Sequence, residues 1–161
     1  MPMYDINQPL KRPVAYGVYP WWPENGTEWI HPHDVPKAQE LIPSDRVLRR
    51  SELDRDFSTL QYGKLTVRVR ATMWLPIDHE GFDIDDTVEV CSRMGKNEPF
   101  VGIIEEMFWN DREKKIEYQV SRNHRPIARR FSAIDLQHVH SLESPATQSL
   151  PLQRHKMPGN L

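Results

Sequence analysis

The run FDIDDTVEVCSRMGKNEPFVGIIEEMFWNDREKKIEYQVSRNHRPIARRFSAIDLQHVH, Phe82 to His140, decides the fold. Apolar residues recur in it at every second position over short stretches, as they do in strands with one buried face. Thr87 to Ser92 turns Val88 and Val90 inward and Glu89 and Cys91 outward. Phe100 to Trp109 is longer, and its alternation slips at Glu105-Glu106, which predicts a β-bulge or a sharp bend. Lys115 to Val120 sets Ile116, Tyr118 and Val120 against Glu117 and Gln119. After the turn Arg122-Asn123-His124-Arg125-Pro126, Ile127 to Phe131 is a fourth strand and Gln137 to His140 a fifth. Between them Ser132 to Leu136 is too short for a stable α-helix and suits a single tight turn. Short strands on tight connections predict a small β-barrel over residues 82–140.

Upstream, residues 13–78 read as a smaller antiparallel sheet covered by one helix. Val14 to Tyr19 is a strand, and Pro20-Trp21-Trp22-Pro23-Glu24-Asn25-Gly26 is a loop with an Asn-Gly turn. Tryptophan is costly to expose, so Trp21, Trp22 and Trp29 are expected to cover a core edge. Residues 34–42 form the helix, with Asp34 as N-cap, Pro36 in the first turn and Pro43 as terminator. Val35, Ala38, Leu41 and Ile42 share one face and must dock on a sheet, because two turns of helix do not stand alone. Arg46 to Arg50 and Phe57 to Tyr62 are strands around the charged turn Glu52-Leu53-Asp54-Arg55-Asp56. Leu65 to Leu75 is the clearest strand of this half, with Leu65, Val67, Val69, Ala71 and Met73 on one face and Arg68 and Arg70 on the other. Residues 1–12 read as a flexible arm and residues 141–161 as a disordered tail. The fold class expected is mainly β with one short helix.

Composition narrows the function. Hydrophobic residues make up 38% and charged residues 27%, enough for a folded chain but with little apolar material to spare. Lys+Arg number 21 against 23 Asp+Glu, and a net charge of −2 counts against a dedicated nucleic-acid binder. The one cysteine, Cys91, rules out an internal disulfide and a cysteine-based zinc site. No stretch approaches ~20 consecutive apolar residues, so no membrane-spanning helix is expected. The first residues lack a secretory apolar run, and the expected location is cytoplasmic.

The order of five strands with one turn of helix before the last resembles SH3-like domains, Tudor-like ones among them. The likeness is carried by Val88-Glu89-Val90, Gly102-Ile103-Ile104, Tyr118-Gln119-Val120 and Ala133-Ile134-Asp135-Leu136. It implies a small closed barrel and, in Tudor-like relatives, an aromatic cage for a methylated cation, with Phe108, Trp109, Tyr118 and Phe131 as its rings. The whole chain, with Trp21-Trp22-Pro23, Ile30-His31-Pro32 and Leu41-Ile42-Pro43, also resembles a family of small bacterial proteins of unknown function. That likeness implies no activity.

Chemistry-bearing residues are sparse. His31 and His33 precede the helix and His138 and His140 share a strand face, so four imidazoles meeting in space would make a metal site. Turn hydrogen bonds and solvation are the commoner fate of such histidines, and no metal or cofactor is assigned. Cys91 has no nucleophile signature around it, and Glu105-Glu106 and Asp85-Asp86 point to opposite faces of a strand. With no phosphate loop and no nucleophile elbow either, no catalytic residue is assigned and the chain is not expected to be an enzyme. Cations cluster in Arg122, Arg125, Arg129 and Arg130, yet residues 82–140 carry nine Lys+Arg against eleven Asp+Glu. A local basic patch on a slightly acidic module suits a protein or peptide partner, or self-association, better than duplex DNA. The expected binding residues are therefore Trp109, Arg122, Arg125, Arg129, Arg130 and Phe131, on a non-enzymatic binding module. A nucleic-acid accessory protein using the arginine faces is the second reading, and a histidine-based metal-dependent hydrolase the third.

Overall fold

A computed structural model describes residues 14–52 and 56–139. The arm at 1–12, the tail at 141–161, His140 and Leu53-Asp54-Arg55 of the charged turn lie outside the described residues. The strands form two antiparallel five-stranded sheets. Sheet 1 contains β1 (Ala15–Val18), β2 (Leu48–Glu52), β3 (Ser58–Tyr62), β4 (Leu65–Val69) and β5 (Leu75–Ile77), in the order β4-β3-β2-β1-β5. Sheet 2 contains β6 (Thr87–Val90), β7 (Phe100–Asn110), β8 (Lys115–Arg122), β9 (Arg125–Ser132) and β10 (Leu136–His138), in the order β10-β6-β7-β8-β9.

The long strand expected at Leu65 to Leu75 is two strands. Alternation holds through Val67 and Val69, which are buried, and then fails, with Met73 81% exposed. The segment before the helix occupies the β4 edge there. Arg68 O accepts from His31 N at 2.9 Å, and Arg70 N donates to Trp29 O at 2.7 Å. The chain then leaves the edge, crosses to the other side of the sheet, and pairs as β5 with β1. Trp74 lies on the backbone of Gly17 during this crossing, where an added Cβ would meet the indole at 2.5 Å. Arg50 stacks on the same indole, its guanidinium carbon 4.3 Å from the ring centroid.

Helix α1 (Val35–Leu41) follows a 3-10 turn at Pro32–Asp34 and buries Ala38 and Leu41 against sheet 1. Asp34 stands at the N-cap position but makes no side-chain cap bond. Its carboxylate goes to β4 instead, with Oδ2 accepting from Arg68 N at 2.9 Å and Nε at 2.8 Å, and Oδ1 from Nη2 at 3.2 Å. A charged, three-bond partner outcompetes a single neutral cap bond. The same contacts hold the Asp34 pKa down to about 2, led by the Arg68 side-chain hydrogen bond.

Sheet 2 bends where the alternation slips. Ile104 faces Val120 but Glu106 faces Gln119, which leaves Glu105 as the extra residue. Before the bend β7 pairs with β6; after it the same edge takes up the residues between α1 and β2. Val47 N donates to Met107 O at 3.0 Å and Trp109 N to Asp45 O at 2.7 Å, which stitches the two halves of the chain together. The packing follows: Val18, Val47 and Ile77 of the first half share one core with Val88, Ile104, Tyr118 and Phe131 of the second. A second core lies between sheet 1 and α1.

The expected closed barrel is not present. β9 and β10 are opposite edges of sheet 2 and do not pair with each other. The space that closure would fill is occupied by side chains of sheet 1. The single turn before the last strand is there, a 3-10 turn at Ala133–Asp135 closed by a Ser132/Asp135 capping box.

Candidate functional site

The expected site residues do not converge. Trp109 pairs with Ile116 near one end of β8, whereas Arg122 pairs with Arg125 at the hairpin that ends the same strand. Six residues of strand separate them, roughly 20 Å. Trp109 is half-buried against the shared core, with its Nε1 donating to Asp111 Oδ1 at 3.3 Å. Phe131 is buried, 5% exposed, beside Tyr118. The arginines split between faces. Arg130 projects to the outer face, where its guanidinium carbon lies 3.9 Å over the Phe108 ring and Nη1 meets Glu117 Oε2 at 3.4 Å. A hydrogen bond from Asn110, then Arg130, holds Glu117 below its ordinary value. Arg122 and Arg129 instead cap the core edge, over Phe100 and Phe131 at 5.5 and 5.4 Å.

The aromatic cage suggested by Tudor-like relatives is absent among the described residues. Tyr118 and Phe131 face the core, and Phe108 lies on the other face of the sheet. The seats over Phe108 and Phe131 are taken by the chain's own arginines. Histidines are similarly dispersed. His31 Nδ1 accepts from His33 N at 3.2 Å, a turn hydrogen bond, while His138 stacks on Phe82 with its Nε2 2.6 Å from Gly81 O. Among the described residues no three His, Cys, Asp or Glu side chains gather where they could hold a metal ion. Cys91 is half-buried, 4.0 Å from Glu89 O and Gln137 Oε1.

What does gather is an apolar strip on the outer face of sheet 2. One cross-strand row runs Thr87, Ile103, Ser121 and Pro126 across β6, β7, β8 and β9. Val101, paired with Glu89, stands beside it. Val101 is 52% and Ile103 42% exposed, although each neighbours a fully buried position of the same strand. A shallow depression of about 280 Å³ lies here, walled by these residues and by Asn123 and His124 of the β8–β9 hairpin. Asn123 and His124 both adopt positive φ, at 51° and 61°, the geometry of a tight two-residue hairpin turn. Gly102 brings β8 close, since a Cβ there would sit 2.5 Å from Ser121 O. Arg122, Arg125 and Arg129 are exposed on β8 and β9 near this hairpin but do not line the depression, and none has a carboxylate within 4.0 Å among the described residues.

Val101 and Ile103 were not among the expected site residues. The signal was present: Phe100 to Ile104 is apolar on both faces, while a one-sided strand should alternate with polar residues. No helix among the described residues is long and apolar enough to cross a membrane. No curated protein matches the chain, and no solved structure does. A family model does match, over residues 8–137, and the chain belongs to that family, a family of unknown function (DUF6960).

Proposed function

We propose that the chain is a non-enzymatic recognition module that docks a protein or peptide on the outer face of sheet 2, at the β8–β9 hairpin end. The observation that carries this reading is the exposure of Val101 and Ile103 on a strand whose other face is fully packed. Two half-exposed β-branched side chains gain about 1 kcal/mol each when a partner covers what remains open. The exposed Arg122, Arg125 and Arg129 make this end of the sheet locally cationic, which favours an acidic segment and speeds its encounter. The strand order of sheet 2, fifth-first-second-third-fourth with a 3-10 turn before the last, supports an SH3-like ancestry. Fold alone does not set function.

The test is affinity capture from the native host with the wild-type chain and with Val101→Thr/Ile103→Thr, both checked for unchanged thermal unfolding. The reading expects a partner that the wild type retains and the double variant loses. Equal capture by both, or no specific partner for either, overturns it. The same arginines support a nucleic-acid reading, which expects retention on heparin or single-stranded DNA that falls steeply with salt. Absence of retention at low salt removes that alternative.

A further inference from the structure

A second feature, on sheet 1 and independent of the outer face of sheet 2, points to a small ligand. Trp29 is 4% exposed and lines a depression of mixed charge there. The groups packed on it are rings, Tyr19 at 5.9 Å and Trp22 at 5.0 Å between centroids.

Trp29 borders a cleft. One lobe, about 560 Å³, is lined by Glu24, Glu28, Trp29, Arg70 and Thr72. The adjoining lobe, about 370 Å³, shares Glu28 and Arg70 and is walled by Ile30, Pro32, Val35 and Phe57. Together they fall in the size range of small-molecule sites. Arg70 lies 4.8 Å over the Phe57 ring and has no ion-pair partner within 4.0 Å among the described residues. The cleft therefore offers one cation, two carboxylates and an apolar wall.

That inventory discriminates between ligand classes. Glu24 and Glu28 repel a simple anion, and Arg70 repels a simple cation. A molecule carrying both charges is matched, provided that it also has an apolar body for Ile30, Pro32, Val35 and Phe57. We infer that this cleft binds a small zwitterion of the α-amino-acid type with an apolar side chain. Its carboxylate meets Arg70, and its ammonium meets Glu24 and Glu28.

The full chain is titrated with leucine, isoleucine and phenylalanine, followed by tryptophan fluorescence and by calorimetry. Leucinamide, which lacks the carboxylate, and 4-methylpentanoate, which lacks the ammonium, are run beside leucine. Saturable binding at or below roughly 1 mM is expected for at least one amino acid. Loss of about tenfold in affinity is expected for both analogues and for Arg70→Ala and Glu28→Gln. Both side chains are exposed, and a thermal melt confirms that each variant is folded. No saturation by any of the three amino acids overturns the inference, as does equal affinity in the two variants or for the two analogues.

Discussion

The two sheets differ in what covers them. Sheet 1 is enclosed around β5-β1-β2, with α1 and the tryptophan loop on one face and sheet 2 on the other. Sheet 2 packs one face in the shared core, and its other face is covered only in part, with Ser121 and Phe108 buried on it. On the strands of sheet 1 Leu65 is the one exposed large apolar side chain among the described residues, with Val14, Trp21 and Met73 exposed outside the strands. On sheet 2 the outer face still carries Val101 and Ile103, which no part of the described chain covers. Enclosure on one sheet and an apolar surplus on the other separate what the fold requires from what remains for a partner.

The largest effects should come from the packing that both sheets share. Ile116→Ala, at a fully buried position, should lower the unfolding free energy by roughly 2–5 kcal/mol in urea denaturation. Gly102→Ala should lose roughly 3 kcal/mol, because the new methyl meets the Ser121 backbone oxygen as well as the buried Val120 side chain. Should Ile116→Ala prove neutral, the two sheets would not be sharing a tightly packed core, and a neutral Gly102→Ala would contradict the close β7–β8 approach.

Intermediate effects should distinguish the fastenings of the sheets. Asp34→Asn should cost roughly 1.5–3 kcal/mol by weakening the bonds that tie α1 to β4. Asp34 has a folded pKa lowered from 3.8 to about 2, so its contribution is full above pH 4 and is lost as pH falls through about 2. The acid limb of the stability profile should therefore flatten in Asp34→Asn. Tyr16 fastens sheet 1 to the linker through Asp83 Oδ2 at 3.1 Å, and burial, then Asp83, raises its pKa from 10.0 to about 12. A raised pKa reverses the sign: the contribution is present below pH 10 and is lost as pH rises through 12. Tyr16→Phe should cost roughly 1 kcal/mol at pH 7 and blunt the alkaline limb. An alkaline limb unchanged in that variant would contradict the assignment of this seam.

How far these features can be read from the sequence depends on whether their cause is local. The alternation of Ile116, Tyr118 and Val120, the bulge at Glu105 and the tight turn at Ala133–Asp135 are written in adjacent residues, and each is found where expected. The end of β4 is not local, because Trp29 and His31, some forty residues earlier, occupy its edge. Asp34 reads as a helix cap until Arg68 is brought beside it. The barrel expected over 82–140 stays open, and Val18, Val47 and Ile77 complete its core from the first half of the chain. Of the expected site, the basic hairpin is exposed as the sequence suggests, but Trp109 and Phe131 are drawn into the core. Alternation identifies two faces of a strand without saying which rings a neighbouring sheet will cover.

The smallest effect is the most informative. Ile103 and Ile104 are adjacent and chemically identical, one 42% and the other 0% exposed. Threonine keeps β-branching at either position, so strand propensity is held constant. Urea denaturation of Ile103→Thr and Ile104→Thr compares the two faces of β7 at a single step of the chain. The outer-face account predicts a change within about 0.5 kcal/mol for Ile103→Thr. It predicts a loss of roughly 3 kcal/mol for Ile104→Thr, which removes apolar packing and buries a hydroxyl. Equal losses at the two positions would contradict it, because Ile103 would then belong to the fold rather than to a partner's binding surface.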